Sequence, residues 1–276
     1  MFSLLECYSM RDVAVIYPKD LSSARRHAAV ISDKLNSMGI LVKVVEIKEE
    51  EIASYNVPPT DAVICLGGDG TLLRVLSLVG SIPVLLLNMG AKGYLAEFTP
   101  MEFLNYLNSF IEESFLLETH YTLASYLNGE KLWVFVNDLV VSVSQPTQMI
   151  YLNLFLDETS YPIPVEGNGV IVATTLGSTG FSMNAGGSIL APQSKSIILT
   201  PICARSPIRP IVIPYGNSIT LKPLRKDIPM LLIADGFRTH PFSCGETLSI
   251  KPTNEKVNLI RFNADFFSRR IERLGK

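Results

Sequence analysis

The stretch Ala62-Val63-Ile64-Cys65-Leu66-Gly67-Gly68-Asp69-Gly70-Thr71-Leu72-Leu73-Arg74-Val75-Leu76 decides the fold. Its first five residues are a continuous apolar run, the pattern of a strand buried on both faces. A helix is expected from about Thr71 to Val79. Between them, three glycines in four residues let the backbone turn sharply and leave amide N–H groups unobstructed. The helix start adds positive partial charge, so the turn suits phosphate. Asp69 is the odd member, because a carboxylate in a phosphate cradle repels its ligand unless it holds Mg²⁺ or takes a proton. The plainer alternative is a tight strand-to-helix turn in which Asp69 caps the helix.

On the N-terminal side, Val13 to Tyr17 is another short apolar run. Apolar residues at Leu21, Ala24, Ala28, Ile31, Leu35 and Met38 then recur at three- and four-residue steps, with Gly39 as the stop expected past a helix end. Leu41 to Val45 reads as the next strand. On the other side, Pro83 to Leu87 is a further strand, and Thr99-Pro100-Met101-Glu102 carries the signature of a helix start. Strands alternating with helices imply a parallel sheet with helices on its faces. From about Tyr121 the texture changes to short apolar runs separated by Gly, Pro, Asn and Ser clusters, which reads as an all-β domain. Helical spacing returns only from Ala264 to Leu274, with basic residues near its end.

The chain has 276 residues and a net charge of −2, so it lacks the basic field of a nucleic-acid binder. Its four cysteines are scattered without a Cys-x-x-Cys pair, which fits neither a disulfide framework nor a zinc site. Met1 to Met10 does not read as a secretory signal. The apolar stretch near Val75 to Leu87 is broken by Gly80 and Pro83 and is too short to span a bilayer. A cytoplasmic protein without a membrane partner is expected. The three histidines, His27, His120 and His240, have no metal or triad spacing, and no metal ligand is assigned. There is no G-x-x-x-x-G-K-[ST] loop, no G-x-S-x-G elbow and no G-x-G-x-x-G fingerprint.

Two more polar constellations stand out. Gly167-Asn168-Gly169 precedes the apolar run Val170 to Ala173, and Thr174-Thr175-Leu176-Gly177-Ser178-Thr179-Gly180-Phe181-Ser182 follows it, crowding small residues and hydroxyls into one turn. An ordinary loop is the alternative reading. Asn137-Asp138 interrupts the apolar run Trp133 to Val143; within one strand, one of the two would point inward or into a site, and a bulge is the alternative.

Together and in this order, these segments resemble the NAD kinase family. The resemblance runs from about Val13 to Arg261. It rests on Gly67 to Thr71, the loop Asn88 to Leu95, Asn137-Asp138, Gly167 to Ser182, Thr200-Pro201-Ile202-Cys203 and Asp235-Gly236. The first motif alone also marks diacylglycerol kinases, sphingosine kinases and phosphofructokinases. The family implies an N-terminal α/β domain with a parallel sheet (1–115), an all-β C-terminal domain (116–261) and a final segment (262–276) that returns to the first.

The resemblance further implies transfer of a phosphoryl group from ATP or polyphosphate to the 2′-hydroxyl of the adenosine ribose of NAD, with a divalent cation, Mg²⁺, and a homodimer or homotetramer. Carried over residue by residue, Asp69 matches the acid acting on that hydroxyl, Gly70 a backbone approach to the nucleotide, and Arg74 a phosphate contact. Asn137 and Asp138 match a pair contacting the dinucleotide, and Thr179, Gly180, Phe181, Ser182 and Asn184 lie in the stretch on the adenosine side. Gly68, Thr71, Asn88, Asn168, Ser178 and Asp235 complete the expected nucleotide-binding set. The family usually has Gly-Asp-Gly at 167–169, Thr-Ala-Tyr at 179–181 and Leu at Lys92, so the chain departs at Asn168, Gly180, Phe181 and Lys92. The competing expectations are a diacylglycerol-type kinase sharing the glycine turn and a dinucleotide-binding sensor with weakened catalysis.

Overall fold

The computed structural model describes residues 10–48, 55–90, 93–145, 147–157, 161–205 and 208–274. Ala91 and Lys92 of the loop after Asn88, and Met1 to Ser9, lie outside the described residues. The chain divides into two compact units, one of residues 1–119 with 257–276, the other of residues 120–256.

The first unit runs β1 (Asp12–Pro18), α1 (Ser22–Ser37), β2 (Leu41–Ile47), β3 (Ala62–Gly67), α2 (Asp69–Val79), β4 (Val84–Asn88), α3 (Pro100–Phe103) and α4 (Leu107–Ile111). Its strands pair in parallel in the order β2-β1-β3-β4. All six residues of β3 are buried, which accounts for the unbroken apolar run. Ala24, Ala28, Ile31 and Leu35 of α1 are buried along one stripe, and Gly39 takes φ +86° just past the helix, as the spacing predicts. Thr99 and Glu102 form the reciprocal capping box at α3.

Strand order reverses between β1 and β3, since β2 lies on one side of β1 while β3 and β4 extend the other. In open parallel sheets such a reversal leaves a crevice beyond the carboxyl ends of the strands, where ligands bind. The Gly67 to Thr71 turn leaves β3 at that end.

The chain leaves this unit within β5 (Leu116–Leu127) and returns within β16 (Leu248–Arg261), whose Leu259 pairs in parallel with Val84 of β4. After β16 comes the last helix, α6 (Phe266–Leu274), with α5 (Phe181–Asn184) in the other unit. The closing segment thus belongs to the first unit, as the resemblance implies.

The second unit is antiparallel. Between β5 and β16 lie β6 (Glu130–Phe135), β7 (Asp138–Val143), β8 (Ile150–Leu156), β9 (Ile163–Gly167), β10 (Gly169–Ala173), β11 (Ser196–Ile202), β12 (Ile211–Pro214), β13 (Ile219–Pro223), β14 (Met230–Ala234) and β15 (Arg238–Phe242). One sheet follows the order β12-β11-β10-β7-β14-β15, and β16, β13, β8 and β9 pair in the other. Leu139, Val141, Val172 and Leu232 of the first pack with Leu152, Leu221 and Ile250 of the second in one core. On the opposite face of the first sheet, Val140, Ile171 and Ile198 pack with Leu190, so β10 is buried on both sides.

Close approach explains Gly167 at the end of β9 and Gly169 at the start of β10. A Cβ on Gly167 would lie 2.7 Å from the Ile202 carbonyl oxygen, and one on Gly169 would lie 2.5 Å from that of Val141. Both obstacles are backbone, which cannot rotate away. Gly169→Ala is therefore expected to destabilise by about 1–3 kcal/mol, the usual cost of overpacking. A lower urea midpoint at unchanged slope checks this.

Candidate active site

In the first unit the glycine turn is tighter than the sequence suggests. Gly68 is the N-cap of α2, in extended geometry, and Asp69 is already the first helical residue. The Asp69 side chain does not cap its own helix. Its two carboxylate oxygens accept separate hydrogen bonds, Oδ2 from the Tyr94 N–H at 3.0 Å and Oδ1 from the Leu95 N–H at 3.1 Å. The carboxylate plane is thereby fixed, while each oxygen keeps a lone pair for another donor. Thr71 is buried beneath the turn, and a Cβ on Gly67 would lie 2.5 Å from its Oγ1.

Arg74, one turn on, donates to the Gly70 carbonyl at 3.2 Å, and Gly70 itself is exposed. Asn88 ends β4 beside Gly67 and closes its own turn: its Oδ1 accepts from the Gly90 N–H and its Nδ2 donates to the Gly90 carbonyl. Gly68, Asp69, Gly70, Thr71, Arg74 and Asn88 are thus gathered at the carboxyl ends of β3 and β4.

In the second unit Asn137 and Asp138 do not share a strand. β6 ends at Phe135, residues 136 and 137 form a bend, and Asp138 opens β7. The bend is held by Asp235, whose buried carboxylate accepts the Val136 and Asn137 N–H groups and a 2.6 Å bond from Arg238. Asp235 and Gly236 turn between β14 and β15 with φ +50° and +75°, the conformation an Asp-Gly hairpin turn favours. Asp235 therefore scaffolds the pair. Thr174 adds to this support by donating to the Val136 carbonyl at 2.5 Å. Neither Thr174 nor Arg238 stood among the expected site residues. The Asp-Gly dipeptide signals the hairpin, whereas nothing local signals that Asp235 reaches back 98 residues.

The loop after β10 lies directly against this pair. A Cβ on Gly177 would lie 2.0 Å from the Asn137 carbonyl oxygen, and one on Gly180 would lie 3.2 Å from Asn137 Nδ2 and 3.9 Å from Asp138 Oδ2. Within the loop, the hydroxyls have partners of their own. Ser178 Oγ donates to the Thr175 carbonyl, Thr179 Oγ1 to that of Leu176, and Ser182 Oγ bonds Thr200 Oγ1 at 2.7 Å. Phe181 and Asn184 are exposed. Asn168 Nδ2 donates to the Gln148 carbonyl at 3.0 Å. An Asp at this position would set a carboxylate against that carbonyl, so the departure to Asn suits the contact it makes.

Asp138 is buried, and its Oδ2 accepts from Asn137 Nδ2 at 2.9 Å. Burial, reinforced by the charge of Asp235, pushes its carboxyl up to about 7, against the opposing Asn137 bond. Burial raises Asp235 as well, but the Asn137 N–H, the Arg238 charge and the Val136 N–H all favour its ionised form. Asp138 thus carries a proton near neutrality beside an Asp235 supplied with donors.

A carboxylate fixed at the head of a helix, beyond the carboxyl end of a parallel strand at a sheet reversal, is the arrangement of a phosphotransferase. Family models agree in both units. The ATP-NAD kinase N-terminal domain matches residues 9–115, and the ATP-NAD kinase C-terminal domain matches residues 136–262. An NAD kinase of Chlorobium phaeovibrioides is 35% identical over 72% of this chain and 72% of its own length. One of Methanothermobacter thermautotrophicus is 28% identical over 96% of each. The fold matches that of yeast NADH kinase complexed with NADH, with a TM-score of 0.85 at 22% identity, covering 97% of this chain and 88% of that one. It also matches an NAD kinase from Archaeoglobus fulgidus in complex with ATP, with a TM-score of 0.75 at 24% identity, covering 95% and 98%. The chain belongs to the NAD kinase family.

The Asp138 carboxyl gives a signed prediction. Its folded-state pKa lies above its unfolded value, so between about pH 4 and pH 7 the folded state holds a proton that the unfolded state has lost. Stability from this group is full below that window and is lost as pH rises through it. Asp138→Asn keeps an oxygen for Asn137 and removes the titration. The variant should lose less stability than the wild type between pH 4 and pH 7, as read by denaturant unfolding across that range.

Proposed function

We propose that the chain phosphorylates the 2′-hydroxyl of the adenosine ribose of NAD, with ATP or polyphosphate as donor and Asp69 as the acting carboxylate. The observation that carries this is the pair of N–H groups from Tyr94 and Leu95 on the Asp69 carboxylate, which fixes its direction at the head of α2. Asp69 orients the ribose hydroxyl and accepts its proton as the new bond forms. A carboxylate is a weak base toward an alcohol, so proton abstraction in the ground state contributes little. In a loose phosphoryl transition state, proton loss lags behind cleavage of the donor's bond to phosphorus. Asp69 is accordingly a positioner first and a base second.

The remaining assignments follow their placement. Gly68, Gly70 and Thr71 bring backbone N–H groups and the helix dipole toward phosphate. Arg74 and Asn88 flank them. Asn137 and Asp138 contact the dinucleotide, Asp235 holding them in place, and Ser178, Thr179 and Ser182 shape the loop that presents Gly180, Phe181 and Asn184 to its adenosine side; Asn168, before β10, belongs to the same binding set. Phe181 offers an aromatic face without a phenolic hydroxyl.

Among the described residues no group of three or more His, Cys, Asp or Glu converges as a metal cage. Mg²⁺ is assigned to the donor's phosphates. Among the described residues no helix is long and apolar enough to cross a membrane. A cytoplasmic homodimer or homotetramer completes the reading, on the strength of the family resemblance.

Incubating purified protein with NAD, ATP and Mg²⁺ should yield NADP, with NADH and polyphosphate run in parallel to rank acceptors and donors. Asp69→Asn should lower turnover by about 10²–10⁴-fold, while calorimetric NAD affinity stays within a few-fold. Near-normal turnover of the variant overturns the assignment of Asp69. A wild type that binds NAD without forming NADP is instead a dinucleotide sensor.

A further inference from the structure

A buried charge cluster lies behind Asp69. Arg261, the last residue of β16, is buried, with its side chain only 4% exposed. Its Nε donates to Glu118 Oε2 at 2.6 Å and its Nη1 to the Leu95 carbonyl at 2.8 Å. Its guanidinium also lies 3.9 Å from the ring centroid of Phe266, the first residue of α6. The N–H of that same Leu95 is one of the two donors on Asp69.

We propose that Arg261 is a positioning residue for Asp69, acting through the backbone of Leu95. The inference rests on the reading that Asp69 is the acting carboxylate. The two peptide groups that flank Leu95 are tied at opposite ends, one to Asp69 and the other to Arg261, so both backbone dihedrals of Leu95 are constrained. Its buried side chain removes the remaining freedom. A shift of the Arg261 end therefore turns the N–H that aims Asp69.

Arginine suits this place because one planar fork binds a carboxylate and a carbonyl together while its face lies on an aromatic ring. Lysine has a single point charge and cannot hold all three. Arg270 of α6 backs the arrangement: it is buried, and its Nη1 lies 3.9 Å from Glu118 Oε1. Burial pushes its guanidinium down to about 10, with Arg261 adding to that shift and the charges of Glu118 and Asp69 opposing it. Glu118 thus faces both buried cations, and Asp69 adds its charge toward Arg270.

Steady-state kinetics of Arg261→Lys, Asp69→Asn and the double variant test this. Arg261→Lys should lower kcat by about 10–100-fold, the scale of a small misplacement of the reacting group. KM for NAD and for ATP should stay within about threefold. In the Asp69→Asn background the same substitution should cost nothing further, because both act through one carboxylate. If Arg261→Lys does not fold by circular dichroism, Glu118→Gln loosens the same anchor and should show the same pattern.

If Asp69→Asn abolishes turnover while Arg261→Lys stays within twofold of wild type, the role of Arg261 is overturned and that of Asp69 stands. Losses that multiply in the double variant overturn it equally, since a merely structural residue acts independently of Asp69. Near-normal turnover of Asp69→Asn overturns both.

Discussion

The two backbone N–H groups that hold the Asp69 carboxylate are the constraint on which the rest of the first unit converges. They tie the head of α2 to the chain beyond β4 across 25 and 26 residues. Both ends of the tie are anchored, because Gly67 pairs with Asn88 where β3 and β4 end, and β3 is buried throughout. Gly67 can lie over Thr71 only because it has no Cβ. A helix start by itself attracts anions; a fixed carboxylate in the same place adds an acceptor whose direction is set. On the proposed role of Asp69, its direction matters more than its acidity.

The second unit uses carboxylates under a different supply of donors. Asp235 receives two backbone N–H groups and Arg238, and so can remain charged while buried. Asp138, beside it, receives one amide bond from Asn137 and is left with the proton. Burial raises both acids, opposed at Asp235 by the Asn137 and Val136 N–H groups and Arg238, and at Asp138 by the Asn137 bond. Asp235 fixes backbone, and Asp138, raised to about 7, changes its proton near neutrality. A Cβ on Gly177 would run into the Asn137 backbone, so the loop after β10 reaches this pair only with glycine at that position.

What the sequence discloses of this arrangement follows physical range. The parallel sheet was legible because burial on both faces writes itself as unbroken apolar runs, as in Ala62 to Leu66. Asp69 was legible as a residue out of place among glycines, but its partners Tyr94 and Leu95 were not, since a backbone N–H leaves no mark in composition. Asn137-Asp138 was read within one strand, because two residues of bend between β6 and β7 interrupt the apolar pattern too briefly to show. Ser178, Thr179 and Ser182 stood out as ligand groups, yet a buried loop must first satisfy its own polar atoms, and their hydroxyls bond Thr175, Leu176 and Thr200. Arg261 gave no local signal at all, being 166 residues from the carbonyl it binds.

The return of the chain to its first unit has a cost and a consequence. Without β16, β4 would present an unpaired edge in the middle of an otherwise buried parallel sheet, a site for unwanted pairing. Leu259 pairs with Val84 at the start of that edge, and Phe98 bridges Leu87 near its end. The residues that follow cannot then drift, because Glu97 accepts the N–H groups of Phe262 and Asn263 and so binds the returning segment to the chain just past Leu95. Phe262 adds ring contacts to Phe98, Tyr106 and Phe115. The segment that completes the sheet is for that reason the one placed to carry Arg261 to the Leu95 carbonyl. Closing the fold and anchoring the chain that aims the Asp69 carboxylate are consequences of one and the same strand.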